Sequence, residues 1–187
     1  MQAWGGVAGR PDGGTTEEFG VFSVGDKVVY PHHGAGRILD ICQREVQGET
    51  RQYMTIQILH NDMTVMVPVD AAERAGIRAV IDEVMVEEVV GVLREDPTLM
   101  PKNWNRRLKH NREKIKSGDI FELADVVRNL AIRDATKGLS TGEKQMFGRV
   151  KKILASELMY AKKIPEAEAV QYLESLLTEI CERAECE

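Results

Sequence analysis

Hydrophobic positions recur along this chain with two different periods, and the change falls near residue 75. Between Phe22 and Val69 the period is close to two. Gln52 to Leu59 sets Tyr53, Thr55, Gln57 and Leu59 on one side and Met54, Ile56 and Ile58 on the other, the alternation of a half-buried strand. Val28-Val29-Tyr30, Gly36 to Ile41 and Met63 to Val67 are further candidate strands. Turn residues separate them at Pro31-His32-His33-Gly34, Gln47-Gly48-Glu49 and His60-Asn61-Asp62. Short strands with tight turns, packed into about 50 residues, predict a small, strongly bent sheet or barrel.

After Gly76 the period becomes helical. Met85, Val89, Val92 and Leu93 fit one stripe behind an N-cap at Asp82. Pro97 and Pro101 interrupt the chain. Trp104, Leu108, Asn111 and Ile115 follow at helical spacing, Gly118 ends that segment, and Asp119 can cap the next. Ile120, Leu123, Ala124, Val127, Leu130 and Ala131 make its apolar face, which stops at Gly138. Ser140 with Glu143 has the spacing of a capping box. Met146, Phe147, Val150, Ile153, Leu154 and Leu158 continue from it. Pro165 suits a first turn before the last stripe, which runs from Ala169 to Ile180. Each helix has one apolar face, so together they predict a compact all-α unit. The fold class is therefore α+β. Five stretches result: an N-terminal extension (1–20) read as disordered, a sheet domain (21–75), a linker (76–82), a helical domain (83–181) and a flexible acidic tail (182–187).

The composition narrows the class. No apolar run approaches the roughly 20 residues that span a bilayer, and Met1 to Glu18 lacks the apolar centre of a secretion signal. The three cysteines, Cys42, Cys181 and Cys186, are too few and too oddly placed for a disulfide framework, which fits a reducing, cytoplasmic setting. Cys42 reads as a small buried hydrophobe. His32 and His33 are adjacent on an extended segment and would point apart, so they read as turn residues rather than ligands. Gly34 and Gly36 lack the spacing of a phosphate loop and read as a tight turn. No nucleophile elbow, His-Glu-x-x-His or paired-carboxylate cleft is visible, so neither a catalytic role, a cofactor nor a metal is expected.

Charge changes the picture most. The chain carries a net charge of −5, yet Lys102, Arg106, Arg107, Lys109, Arg112, Lys114 and Lys116 face one acid, Glu113, within a single segment. Such an inversion points to a polyanion, because phosphate contacts supply most nucleic-acid affinity. Trp104 sits at the head of this segment. A ring among cations can stack on a base or wedge against a base step. The same tryptophan could instead be a packed core residue, and the cations a solvated helix face.

Phe22-Ser23-Val24-Gly25-Asp26-Lys27-Val28-Val29-Tyr30-Pro31-His32-His33-Gly34-Ala35-Gly36 resembles the start of the CarD family of bacterial transcription regulators. Asn103-Trp104-Asn105-Arg106-Arg107 with its basic continuation, and Gly138-Leu139-Ser140-Thr141-Gly142-Glu143-Lys144, are similar to two later family motifs, in the family's order. The resemblance implies a Tudor-like N-terminal domain that binds the RNA polymerase β subunit. It also implies a helical domain that contacts promoter DNA at the upstream edge of the bubble and stabilises the open complex. Trp104 would wedge into the minor groove, with Arg106, Arg107 and Lys109 on the nearby backbone. Arg44 would face the polymerase. Met66 stands where close relatives carry a second polymerase-contacting arginine, and Leu108 where they often have tyrosine. A monomer with little sequence preference on DNA is expected. The competing expectation is a protein–protein adaptor whose basic helix binds an acidic partner without DNA.

Overall fold

The computed structural model describes residues 22–185, apart from 32, 47 and 60–62. The expected N-terminal extension, His32, the turn at 60–62 and Cys186 lie outside the described residues. Five strands come first: β1 (Lys27–Tyr30), β2 (Gly34–Val46), β3 (Glu49–Ile58), β4 (Thr64–Pro68) and β5 (Arg78–Ala79). They form one antiparallel sheet in the order β4-β3-β2-β1-β5. Five helices follow: α1 (Glu83–Arg94), α2 (Trp104–Ser117), α3 (Ile120–Lys137), α4 (Thr141–Lys162) and α5 (Glu166–Glu185). The α+β order expected from the periodicities is the order observed.

The alternation in β3 sets the sheet's two faces. Met54, Ile56 and Ile58 are buried with Val28, Ile38, Val67 and Ile77 in one core. The register breaks between Ile38 and Asp40, so Leu39 bulges out and β2 can bend. Gly36 is needed for close approach: a Cβ there would lie 2.5 Å from the Gln57 carbonyl oxygen of the neighbouring strand. Gly34, at φ 91°, makes the turn into β2. Cys42 departs from its expected burial. It is half-buried, because its register partner is Tyr53 on the face away from the core.

Local capping chemistry places the helix starts. Asp82 accepts from the Met85 N–H, Asp119 from Phe121 and Glu122, and Ser140 and Glu143 close a full capping box. α3 lies at the centre and packs against the other four helices; from Leu123 to Ile132 every residue is buried. Residues 78–79, within the expected linker, pair with β1 as a fifth strand. α5 runs to Glu185, past the expected start of the tail, because its last apolar residues still pack on the helical core.

Sheet and helices meet through α4. The Ala35 N–H donates to Ser156 Oγ at 2.9 Å. Glu157 is fully buried (0% exposed) and takes both guanidinium arms of Arg78, at 2.5 and 2.9 Å, as well as the Ile81 N–H at 3.1 Å. Arg78 Nε also donates to the Gly118 carbonyl between α2 and α3. One carboxylate thus ties β5, the connection into α1 and the α2–α3 turn to α4. Removing one partner of a buried pair strands the other, at a cost of about 3–5 kcal/mol. Glu157→Ala should therefore lower the unfolding midpoint strongly and split a cooperative urea transition into two. A single transition at the parent midpoint would show that the clamp carries no stability.

Candidate nucleic-acid interface

Trp104 opens α2, directly after Asn103. The Asn103 side chain caps the helix by accepting from the N–H groups of Asn105 and Arg106, at 3.0 and 3.2 Å. The indole is 51% exposed, although it shares a helical stripe with the buried Asn111 and Ile115. The stripe packs only where α4 and α3 lie beneath it, and Trp104 stands at the open end.

The seven cations separate into two groups. Lys114 turns inward between α2 and α3 and meets Glu122 and Asp125, each at 2.7 Å. Burial pushes its ammonium pKa down, but the hydrogen bonds to Asp125 and Glu122 outweigh that and raise it, so it stays charged. Arg107 turns inward as well and is 3% exposed. The family resemblance placed it on a phosphate; the structure gives its guanidinium to Glu143, at 2.7 Å from both Nε and Nη2. Its remaining arm donates to the carbonyls of Pro101 and Lys102, at 3.1 and 2.9 Å. The scarcity of acids within the segment is thus made up by carboxylates from α3 and α4, a long-range pairing that no local spacing reveals.

Lys102, Arg106, Lys109, Arg112 and Lys116 remain exposed. Lys109 has only a loose ion pair with Glu113, at 3.9 Å. Asn105, Lys109, Arg112 and Lys116 recur at intervals of four, three and four, so they share one side of α2. Across a cleft of about 180 Å³, Arg112 faces Gln145 and Arg149 of α4, with Ile115 and Met146 among the lining residues. Among the described residues, Arg106, Arg112 and Arg149 take part in no ion pair. Arg149 and Gln145 were not singled out from the sequence; only the packing of α4 beside α2 brings them to this face.

The connection into Trp104 is held at two points. The Asn129 side-chain oxygen accepts from the Thr98 N–H at 3.0 Å, and the Thr98 hydroxyl bonds Asp125 at 3.2 Å. Asp125 is itself paired with the fully buried Arg128. Leu99, next to the pinned Thr98, is entirely exposed, a second apolar side chain on this segment that the periodicity did not flag.

On the sheet, register places Arg44 opposite Arg51, Cys42 opposite Tyr53, and Met66 opposite Thr55. Arg44 and Met66 therefore share the face away from the core, with Tyr53 and Thr55 between them. Both are exposed, and Met66 lies on the outer strand β4. Among the described residues no group of His, Cys, Asp or Glu side chains is placed to hold a metal ion, and no described helix is long and apolar enough to cross a membrane.

Residues 22–81 match the family model described as the CarD-like/TRCF RID domain, and residues 88–174 match that described as the CarD C-terminal domain. "Putative transcription factor YdeB" of Bacillus subtilis (strain 168) is 38% identical over 148 residues, covering 78% of this chain and 95% of that protein. The solution structure of the 72-residue N-terminal domain of Myxococcus xanthus CarD is 35% identical. It covers 30% of this chain and 76% of that one, with a TM-score of 0.28.

Glu143 gives this site a pH signature. Burial pushes its carboxyl up, but the hydrogen bonds from Ser140 and the Arg107 guanidinium outweigh burial and hold it below the usual carboxylate range. A carboxylate depressed in the folded state stabilises above its unfolded pKa of about 4.3, and that contribution disappears as pH falls from there through the folded value. Urea midpoints should therefore drop more steeply below about pH 4.3 in the parent than in Glu143→Gln. Parallel curves for the two proteins would remove Glu143 from the acid limb.

Proposed function

We propose, on the premise that this chain belongs to the CarD family of transcription factors that interact with RNA polymerase, that it is a non-enzymatic cytoplasmic regulator that stabilises open promoter complexes. It binds the polymerase β subunit through the outer face of its Tudor-like sheet and holds promoter DNA at the upstream fork with its helices. The observation that carries this reading is the half-exposed indole of Trp104 at the head of a helix that keeps exposed cations along one side. A ring so placed can enter the minor groove and wedge at a base step that the polymerase has already begun to part. Arg106, Lys109 and Arg112 reach backbone phosphates, which position the protein without reading sequence. The rise from Trp104 to Arg112 is about 12 Å, so the helix spans three to four base pairs from the wedge.

The sheet supplies the anchor. Arg44, Met66 and Tyr53 offer a mixed polar and apolar face, and the outer edge of β4 can accept a strand from the polymerase. No cofactor, metal or membrane enters this function, and the protein works as a monomer. Anchoring makes the DNA contact intramolecular, so a modest basic patch suffices on a chain of net charge −5.

Trp104→Ala should leave the fold and polymerase binding intact and shorten open-complex lifetime on the order of tenfold, the change that about 1.4 kcal/mol represents. Equal lifetimes for variant and parent, measured by competitor challenge with purified bacterial polymerase, would exclude the wedge. An adaptor that avoids DNA would likewise leave promoter opening untouched. Arg44→Glu should weaken binding to an isolated β-subunit fragment by roughly tenfold or more, the loss of one well-placed interface charge. Unchanged affinity in a titration would assign Arg44 to plain surface.

A further inference from the structure

We infer that the buried Arg107–Glu143 pair is the positioning device for Trp104, rather than part of the surface that touches nucleic acid; this rests on the wedge reading above. Arg107 lies one turn into α2 and its guanidinium serves three segments at once. It meets Glu143 of α4 with two nitrogens, and its third nitrogen donates to the carbonyls of Pro101 and Lys102, just before the ring. Glu143 is 1% exposed and is itself fixed. Its second oxygen accepts from the Ser140 N–H at 3.0 Å and the Ser140 hydroxyl at 2.7 Å. The chain on both sides of Trp104 is thus referred to one buried carboxylate at the start of α4.

A lysine in place of Arg107 keeps the charge but presents it as a point, without the planar fork that reaches Glu143 and both carbonyls together. The indole stands at the first position of α2 and is 51% exposed, so its direction depends on the backbone that carries it. If that backbone is unpinned, the ring retains its exposure and loses its aim. Misplacement of an interacting group by about 1 Å is enough to remove most of its effect.

The pair makes opposite predictions for its two roles. Glu143→Gln removes a negative charge and loosens its hold on Arg107. Were Arg107 bound to a phosphate, this would strengthen DNA binding and steepen its salt dependence. As a positioning device, the same change weakens the wedge. The experiment uses the full chain in a Trp4→Phe background, so that Trp104 is its one tryptophan. Time-resolved fluorescence anisotropy reads ring motion; competitor challenge with bacterial polymerase reads open-complex lifetime; titration of a fork-junction DNA at several salt concentrations reads the number of phosphates neutralised. Arg107→Lys and Glu143→Gln should both increase ring motion and shorten lifetime roughly fivefold. Their slopes of log affinity against log salt should stay within the parent's error, whereas an Arg107 released from Glu143 onto one further phosphate would steepen the slope of Glu143→Gln by about 0.9. Val150→Ala, which loosens the helical core away from the 101–104 segment, should lower the melting midpoint without changing ring motion. Parent-like ring motion in both pair variants would overturn the inference, as would a gain in affinity with Glu143→Gln. If Trp104→Ala leaves lifetime unchanged while the pair variants free the ring, the wedge reading fails and the positioning stands.

Discussion

A fully buried carboxylate between two kinds of secondary structure is the constraint on which this molecule depends. Glu157 comes from the C-terminal half of α4, where a leucine would satisfy the helical stripe. It is there because Arg78 and the Ile81 N–H leave the sheet at that point and need an acceptor. An ion pair of this kind contributes little net stability compared with apolar packing, since desolvation offsets the attraction. What it supplies is direction. Apolar surfaces slide over one another with little change in energy, whereas a bidentate pair with a third donor has one geometry. With Ser156 holding the Ala35 N–H beside it, α4 becomes the common reference for the sheet and for α2.

The same helix carries Glu143 fourteen positions earlier, so one element references both ends of the protein. The rise of α4 between these two acids is about 21 Å. A rigid spacer would matter to the two-point binder proposed above. Effective concentration is greatest when the separation of the two sites matches the separation of their targets, and it falls when the connection is slack. The sheet and the Trp104 segment are joined through α4 by buried charge pairs, so in that proposed function energy spent on anchoring would not be lost again in ordering the second site.

The periodicities made the elements legible, and the short side chains made their starts legible. Asp82, Asp119 and the Ser140–Glu143 box act within one turn, so spacing alone reveals them. The exposure of Trp104 was not decidable in this way. The ring sits on the apolar stripe, and whether a stripe position is covered depends on how far the neighbouring helices extend. Arg107 shows the limit most clearly. Locally it is one of seven cations; its partner is 36 residues away on another helix. Glu157 and Arg78, 79 residues apart, were equally invisible. β5 falls within the expected linker because two residues carry no period. Long-range polar pairing leaves no local signature, while hydrophobic periodicity and caps do.

The division of the cations has a consequence for how the surface works. Had all seven faced solvent, their mutual repulsion would have opposed the helix and their field would have drawn the protein onto any duplex. By committing Arg107 to α4 and Lys114 to α3, the fold turns two of those charges into internal braces and leaves a narrower stripe outside. A narrow stripe on an acidic body attracts DNA only where something else has already brought it close. On the function proposed above, the weakness of the surface is part of its selectivity: affinity would be set by the anchor, and the indole would act where the duplex is already deformed. The brace at Arg107 that reduces the field also holds the backbone on either side of the ring, so electrostatic restraint and geometric aim come from the same residue.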